Sequence, residues 1–234
     1  MKQFYYCLFL SLLHFTLLAQ ESNFPHRTQY SELTYITIEQ LKSSLQVSLV
    51  VDVRSELEFN TAHIINAWNV PFSNRGFLVS IKKLTQQFPD KQLVVYCNGH
   101  SCEKSYQAGR VLVRNQYNST VFDAGMKDWL LRFPEYSMLL GKMAVDSHNI
   151  ISEQEFESHL VNYDDFIKLS NSAYVFDIRD IYQRGSDKLL FNQRSVTMDK
   201  MLLILEEKKF QDKTLLIFDA TGWQSRWLQY HLKK

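Results

Sequence analysis

One pattern of apolar and polar residues occurs twice along the chain, and each copy, or series, predicts the same elements in the same order. Each series begins with a helix preceded by a hydroxyl residue, Thr37 or Ser152, with Gln or Glu three residues later. This spacing is typical of a capped helix start. Apolar residues at equal offsets then predict one buried face on each helix: Leu41 and Leu45 in the first, Phe156 and Leu160 in the second.

Each series continues with apolar strands. The first strand ends in Asp-x-Arg, at residues 49–54 and 174–179, and a second strand follows at 93–96 and 215–218. A short Gly-containing loop and then another helical pattern follow each second strand. Continuous apolar strands that alternate with helices are typical of a parallel sheet covered on both faces. The sequence therefore predicts the α/β class and a duplication.

The duplication divides the chain into two α/β domains joined by a linker. We place the domains at residues 27–135 and 149–234 and the linker at 136–148.

The N-terminal segment has a different pattern. Residues 1–19 have one charge, Lys2, then an apolar stretch that ends in a small residue, which is typical of a secretory signal peptide. The apolar stretch is short for a membrane span, which needs roughly 20 residues. We expect a periplasmic or secreted protein with no other membrane contact. An uncleaved membrane anchor and a buried helix are the alternatives.

Composition indicates a packed globular protein. Hydrophobic residues make up 45% of 234 and charged residues 22%. Lys and Arg total 26 against 25 Asp and Glu, and no basic run exceeds two residues, so no nucleic-acid partner is expected. Three cysteines are too few for a disulfide scaffold. Loss of residues 1–19 would leave Cys97 and Cys102 in an oxidising compartment.

The loop after the strand at 93–96 is the best candidate for chemistry. Cys97 lies at the carboxyl end of that strand, where parallel α/β sheets bind ligands. Backbone N–H groups of the loop and the start of the next helix can stabilise a thiolate or another anion there. The alternative is a buried, inert cysteine.

Several motifs resemble the rhodanese family. Residues 52–71 contain Asp-x-Arg at residues 52–54, a Glu-aromatic pair at Glu58-Phe59, then His63-Ile64 and Asn69-Val70-Pro71. Ala62, Ile65 and Asn66 stand where the signature has Gly, Pro and Gly, and residues 123–129 resemble the closing Gly-Gly-x-x-x-Trp element. The resemblance implies a five-stranded parallel sheet and a sulfurtransferase cycle through a cysteine persulfide.

By this resemblance Cys97 carries the sulfur, and its partners are a small sulfur donor and a thiol acceptor, with no cofactor. Backbone donors and two candidate cations, His100 and Lys104, would bind the substrate. The substrate-binding residues are thus Asn98, Gly99, His100, Ser101, Cys102, Glu103 and Lys104. The loop is about two residues longer than the common family loop, and Glu103 disfavours small anions such as thiosulfate, so a persulfide donor is at least as suitable.

Cys102 has three interpretations. It can resolve a persulfide or sulfenic acid at Cys97 by forming a disulfide within the loop. It can also be a spectator thiol, if the two Cα atoms are badly placed for a bond. A metal bound by Cys97, His100 and Cys102 is least favoured, because no fourth ligand is evident, and we expect no metal.

Other family residues are expected to support the fold. Asp52 and Arg54 orient the strand end, and His63 is a hydrogen-bonded structural histidine. Trp68 and Trp129 are expected in the core.

The second domain resembles a degenerate rhodanese domain. Asp219 stands at the position of the cysteine, and a carboxylate cannot form a persulfide, although loop amides can stabilise its charge. The His-Ile segment has no counterpart between residues 185 and 198, and the 15 residues after Asp219 leave no room for the last strand and helix. We expect this domain to form one wall of the active-site cleft.

Two other function classes are compatible with a related fold. A phosphatase needs an Arg to clamp phosphate, and Glu103 stands after the Cys-x5 spacing instead. The stronger alternative is a non-catalytic rhodanese-homology module that binds a partner or senses redox state through Cys97 and Cys102.

Overall fold

The fold is given by a computed structural model that describes residues 24–185, 189, 191–207 and 210–232. The predicted signal peptide, residues 1–19, lies outside these ranges, as does part of the segment between residues 185 and 198. Within the described ranges, no helix has the length and apolar character needed to cross a membrane.

Strands and helices alternate through most of the described chain. The strands are β1 (Thr34–Tyr35), β2 (Ser48–Asp52), β3 (Ala62–Ile64), β4 (Trp68–Asn69), β5 (Gln92–Tyr96), β6 (Ser119–Phe122), β7 (Ser137–Leu139), β8 (Lys142–Met143), β9 (Tyr174–Asp177), β10 (Arg194–Ser195) and β11 (Leu215–Phe218). The helices are α1 (Ile38–Ser44), α2 (Glu56–Thr61), α3 (Phe77–Gln87), α4 (Lys104–Arg114), α5 (Gly125–Arg132), α6 (Glu153–Glu157), α7 (Tyr163–Leu169), α8 (Met198–Glu206) and α9 (Trp223–Leu232).

A five-stranded parallel sheet lies at the centre of the first half, in the order β1-β6-β5-β2-β4. Successive side chains of its central strands enter two different cores. Val50 and Val94 pack in one cluster, whereas Val51 and Val95 pack in the other. Both faces of the sheet are therefore buried, which explains the continuous apolar strands and confirms the predicted α/β class.

The second half contains a smaller parallel sheet in the order β10-β9-β11. This is the same order as β4-β2-β5 in the first half. A third sheet, β3-β7-β8, is antiparallel. The segment predicted as a linker, residues 136–148, supplies β7 and β8 to this sheet and buries Leu139 and Val145 against the first core.

The predicted helix starts are present, but one buried face is wrong. Thr37 and Gln40 form the reciprocal cap, and the Ser152 side chain accepts from the N–H of Glu155. Helix α6 ends at Glu157, three residues before Leu160, and Leu160 is 56% exposed. Because the helix is so short, the predicted i, i+4 partner never reaches the core.

Of the two tryptophans expected in the core, only one is there. Trp129 is fully buried in the first core, as predicted. Trp68 is 42% exposed, because it lies on β4, the edge strand of the sheet.

The two halves share hydrophobic clusters. Phe156 and Trp227 of the second half pack with Trp129 of the first half. Conversely, Leu57 of α2 is buried among second-half residues such as Phe176 and Leu228. Helix α9 therefore packs directly against the half that contains Cys97.

Candidate functional site

The base of the site is a buried ion pair after β2. Arg54 and Asp52 are both fully buried, and the Arg54 guanidinium donates through Nε and NH2 to the two carboxylate oxygens of Asp52. Arg54 also donates to the Ala62 carbonyl at 2.6 Å. These contacts agree with the structural role expected for both residues, because they hold the strand end against the backbone at Ala62.

Asn98, the residue after Cys97, is the junction of this network. Its Oδ1 accepts from Arg54 at 3.1 Å and from the Trp227 indole N–H at 2.6 Å. Its Nδ2 donates to Glu58 Oε1 at 2.7 Å. The Asn98 side chain is therefore committed to the fold, which leaves only its main chain for the predicted role in binding.

Glu58 is ionised in this buried setting. Burial alone would raise its pKa, but the positive charges of Lys104 and Arg54, together with the Asn98 and Ser55 hydrogen bonds, lower the pKa below its usual value. A negative charge thus lies directly beneath the loop that contains Cys97.

His63, also expected to be structural, does not face the loop. Its Nδ1 lies 2.7 Å from the Phe59 carbonyl oxygen, and its ring stacks on Phe59 at 3.8 Å. Burial lowers its pKa.

Cys97 follows β5 directly and is bonded to Cys102. The Cα atoms are 6.2 Å apart, inside the range that a disulfide requires. The structure therefore represents an oxidised state of the loop and supports the interpretation in which Cys102 closes a disulfide with Cys97. A nucleophilic Cys97 requires reduction of this bond.

Helix α5 holds the loop from the other side. The Met126 N–H donates to the Cys97 carbonyl at 2.9 Å, and the Lys127 N–H donates to the Asn98 carbonyl at 3.0 Å. Gly125 makes this approach possible with a φ of +69°, since a Cβ there would overlap Gly99 N and lie 2.6 Å from Asn98 C.

The backbone N–H groups of the loop differ in whether they have an acceptor. The Cys102 N–H donates to the Gly99 carbonyl at 2.8 Å, so it is not one of the predicted anion donors. The N–H groups of Gly99, His100 and Ser101 donate to no acceptor in the described part of the chain. Of these three residues Gly99 is buried, His100 is half-buried and Ser101 is exposed.

The two predicted cations have carboxylate partners. His100 Nε2 lies 2.8 Å from Asp128 Oδ2, and its ring stacks on Phe24. Lys104, only 8% exposed, lies 2.5 Å from Asp180 of the second half. The carboxylate of Asp180 partly neutralises the charge of Lys104, and Asp128 occupies the Nε2 of His100. Neither neighbour is close to its partner in the sequence.

Glu103 and Ser101 are also held in place. Glu103 accepts from the Tyr30 hydroxyl at 2.6 Å, and burial together with this contact raises the pKa of Tyr30 to about 12. The Trp223 indole N–H donates to Ser101 Oγ at 2.9 Å.

The corresponding loop of the second half shows an occupied anion position. The Asp219 carboxylate accepts from the N–H groups of Thr221 (2.7 Å), Gly222 and Ser225 (2.6 Å). The expected contact between the Asp219 side chain and the loop amides is thus present. In the same half Arg179 donates to both oxygens of Asp177, as Arg54 does with Asp52.

A cleft of about 420 Å³ lies between part of the Cys97 loop and the second half, beside the contacts that join them. Its lining includes Cys102, Lys104 and Gln107 on one side and Gln183, Trp223 and Gln224 on the other. Sequence reasoning missed these second-half residues, because no short motif marks residues that meet only through tertiary packing.

Comparison with known families assigns the first half. Residues 37–132 match the family model of the rhodanese-like domain. These residues form a rhodanese-like domain. The matched residues include Cys97 and its loop, the Asp52–Arg54 ion pair and helix α5.

Solved structures similar to the chain include sulfurtransferases. A rhodanese-related protein from Thermoplasma volcanium is 25% identical over 42% of this chain and 90% of its own, with a TM-score of 0.36. The human single-domain sulfurtransferase is 20% identical over 42% and 96%, with a TM-score of 0.36. A thiosulfate sulfurtransferase from Pseudomonas aeruginosa is 16% identical over 86% of this chain but 41% of its own, with a TM-score of 0.40. No curated protein matches the chain.

Proposed function

We propose that the protein is a sulfurtransferase that moves sulfane sulfur through a persulfide on Cys97. The donor is thiosulfate or a persulfide, and the acceptor is a thiol or another nucleophile. The observation that carries this proposal is the position of Cys97. It follows the central strand of a rhodanese-like domain, in a loop with three N–H groups that have no acceptor among the described residues.

The reaction consists of two displacements at sulfur. The Cys97 thiolate attacks the outer sulfur of the donor, a new S–S bond forms, and the donor fragment leaves with the electron pair, as sulfite from thiosulfate or as a thiolate from a persulfide. The acceptor thiolate then attacks the outer sulfur on Cys97 and restores the Cys97 thiolate. Between the two displacements, the N–H groups of Gly99, His100 and Ser101 stabilise the negative outer sulfur of the Cys97 persulfide.

The second half supports this role for the loop. We propose that it is a degenerate rhodanese domain, because its sheet order and its Asp177–Arg179 pair repeat those of the first half. Its loop amides already hold a negative group, the Asp219 carboxylate. A loop of this kind is therefore suited to hold a thiolate or persulfide where Cys97 replaces the aspartate.

Charge at the cleft favours a persulfide donor over thiosulfate. Glu103 lines the cleft, and its hydrogen bond to Tyr30 fixes its carboxylate there. A dianionic donor meets more repulsion from Glu103 than a persulfide of lower charge does. We also propose a periplasmic or secreted location, since an oxidising compartment maintains the Cys97–Cys102 bond.

Turnover of the reduced protein tests the proposal. The protein is reduced, freed of reductant and mixed with a thiol acceptor and either thiosulfate or an organic persulfide, while sulfite or the transferred sulfur is measured. We expect transfer with the persulfide, and a loss of about a thousandfold in Cys97→Ser. Cys102→Ser should retain activity without prior reduction. Unchanged turnover in Cys97→Ser would refute the proposal.

The disulfide itself favours a second candidate, a redox-sensing module without transferase activity. In that case Cys97 and Cys102 cycle between dithiol and disulfide, and no donor loads sulfur onto the reduced protein. The same assay distinguishes the two functions, because reversible oxidation without any turnover supports the sensor alone.

A further inference from the structure

We infer that Asp180 of the second half determines which sulfur donor the protein accepts, because it draws the charge of Lys104 away from the cleft and thereby disfavours a dianionic donor such as thiosulfate. Asp180 is a specificity-determining residue that acts through Lys104. The inference deepens the function proposed above and rests on it for turnover, whereas the effect on anion binding does not depend on turnover.

Among the described residues that line the cleft, one lysine and one carboxylate side chain are charged. Glu103 supplies the negative charge, and Lys104 is the only lysine or arginine in this lining. An anionic donor that enters the cleft therefore meets the negative charge of Glu103, and Lys104 is the group that could offset it.

The Lys104 ammonium group lies between two carboxylates. Its Nζ is 2.5 Å from Asp180 Oδ2 and 4.0 Å from Glu58 Oε2. Within the described chain neither carboxylate lines the cleft, and the Lys104 side chain is only 10% exposed. The ammonium group is therefore directed away from the space that a donor would occupy, although Lys104 borders that space.

Asp180 changes the balance of charge beneath the loop. Glu58 already takes part of the charge of Lys104, and Arg54 is paired with Asp52. With Asp180 included, three carboxylates face two cations in this network, whereas without it two face two. Loss of the Asp180 charge would therefore make the potential at the cleft more positive beside Lys104.

The second copy of the Asp-x-Arg strand end fixes the position of Asp180. Asp180 follows Arg179 directly, as Ser55 follows Arg54 in the first half. Each of the two residues precedes a short helical segment, α2 in the first half and Ile181–Gln183 in the second. Asparagine is equally suited to a helix start, so Asp180→Asn removes the charge and keeps the local fold.

Binding of thiosulfate without turnover tests the inference directly. The Cys97→Ser chain forms no disulfide within the loop and carries no sulfur, so calorimetric titration with thiosulfate measures binding alone. We expect Asp180→Asn in this background to bind thiosulfate roughly fivefold more tightly, with a gain that shrinks as the salt concentration rises from about 0.05 M to about 1 M. No gain, or a gain that salt leaves unchanged, would overturn the inference.

Two further variants separate the contact with Lys104 from the general loss of a negative charge. Asp199→Asn removes a carboxylate of the same half that accepts from the Leu57 N–H and lies outside the cleft lining. It should leave thiosulfate binding within about twofold of the parent chain. Asp180→Asn combined with Lys104→Gln should lose the gain.

An equal gain in Asp199→Asn, or a gain that survives Lys104→Gln, would assign the effect to overall charge and contradict a role for Asp180 through Lys104. If the double variant does not fold, the salt dependence of Asp180→Asn and the Asp199→Asn control still decide the question.

Turnover of the reduced chain extends the test to the choice of donor. In Asp180→Asn the KM for thiosulfate should fall roughly fivefold with little change in kcat. The KM for the persulfide of 2-mercaptoethanol, which has at most one negative charge, should fall by about twofold or less. An equal fall in both KM values would contradict selection by charge. A chain that binds thiosulfate as expected but transfers no sulfur from either donor would refute the sulfurtransferase proposal and support the charge effect of Asp180.

Discussion

At the residue scale, the site depends on close packing under the loop more than on charged groups around it. Asn98 and Gly125 hold the loop against the sheet and helix α5, whereas the side chains of His100 and Lys104 contact carboxylates. Substitutions beneath the loop should therefore cost more stability than substitutions on its surface.

Gly125→Ala should strongly destabilise the protein. A Cβ at Gly125 would overlap the backbone of Asn98 and Gly99, and the positive φ adds backbone strain. We expect a loss of about 3 kcal/mol in the free energy of unfolding, measured by denaturant titration. Gly141→Ala is the control: its φ is +77° but no atom lies within 4 Å of the added Cβ, so the loss should be about 1 kcal/mol. Equal losses would contradict the close approach at Gly125.

Glu58 should make the stability depend on pH. Its pKa in the folded protein lies below the unfolded value of about 4.3, so its ionised form stabilises the fold above that pH. This contribution is lost as the pH falls through the folded-state pKa. Glu58→Gln should therefore cost about 3 kcal/mol at pH 7 and progressively less below pH 4.

The measurement is denaturant unfolding of wild type and variant across that pH range. Glu56→Gln, on the same helix but not in the buried network, should change stability little at any pH. A constant difference between wild type and Glu58→Gln from pH 7 to pH 3 would show that the charge of Glu58 is not involved.

At the element scale, helix α9 links the second half to the Cys97 loop through two tryptophans. The Trp227 indole donates to buried Asn98, whereas the more exposed Trp223 donates to Ser101. Since buried hydrogen bonds are costly to lose, the two residues should differ in their effect on stability.

Trp227→Phe should lower the free energy of unfolding by about 2 kcal/mol, because it removes the N–H and part of a buried ring. Trp223→Phe should lower it by about 0.5 kcal/mol. Denaturant titration measures both. A larger loss for Trp223→Phe would place the main contact of α9 on the loop surface and not on Asn98.

The sequence predicted the strands correctly but assigned some residues to the core wrongly, and both outcomes have physical reasons. The apolar strand 93–96 was predicted correctly, because a strand buried on both faces leaves an uninterrupted apolar pattern. Strand 215–218 was also predicted correctly, although only Leu216 of its four residues is fully buried. Leu160 and Trp68 were wrongly assigned to the core, since their exposure depends on helix length and on the edge position of β4.

The candidate site was predictable only in part. Cys97 and its loop follow from the strand pattern and the family motifs. The disulfide needed a Cα separation that spacing alone does not fix, and Gln224 and Trp227 meet the loop only through packing between the halves.

At the scale of the whole molecule, the shared clusters join the two halves into one cooperative structure. Leu57 belongs to the first half but is buried among residues of the second, and Phe156 is the reverse case. Neither cluster is complete within one half. The second half therefore contributes to the stability of the domain that contains Cys97.

We expect a single unfolding transition, with coincident midpoints from far-UV circular dichroism and tryptophan fluorescence. Leu57→Ala should lower the free energy of unfolding by about 3 kcal/mol and keep the two signals coincident. Val79→Ala, at an exposed site on α3, serves as the control and should have little effect. Two separate transitions would show that the halves fold independently.

The most direct test of Cys97 as the sulfur carrier is the intact mass of the reduced chain after exposure to an organic persulfide. We expect one added sulfur atom, present in Cys102→Ser and absent in Cys97→Ser. A chain that gains no sulfur from the persulfide or from thiosulfate, or that still gains it in Cys97→Ser, would contradict Cys97 as the sulfur carrier.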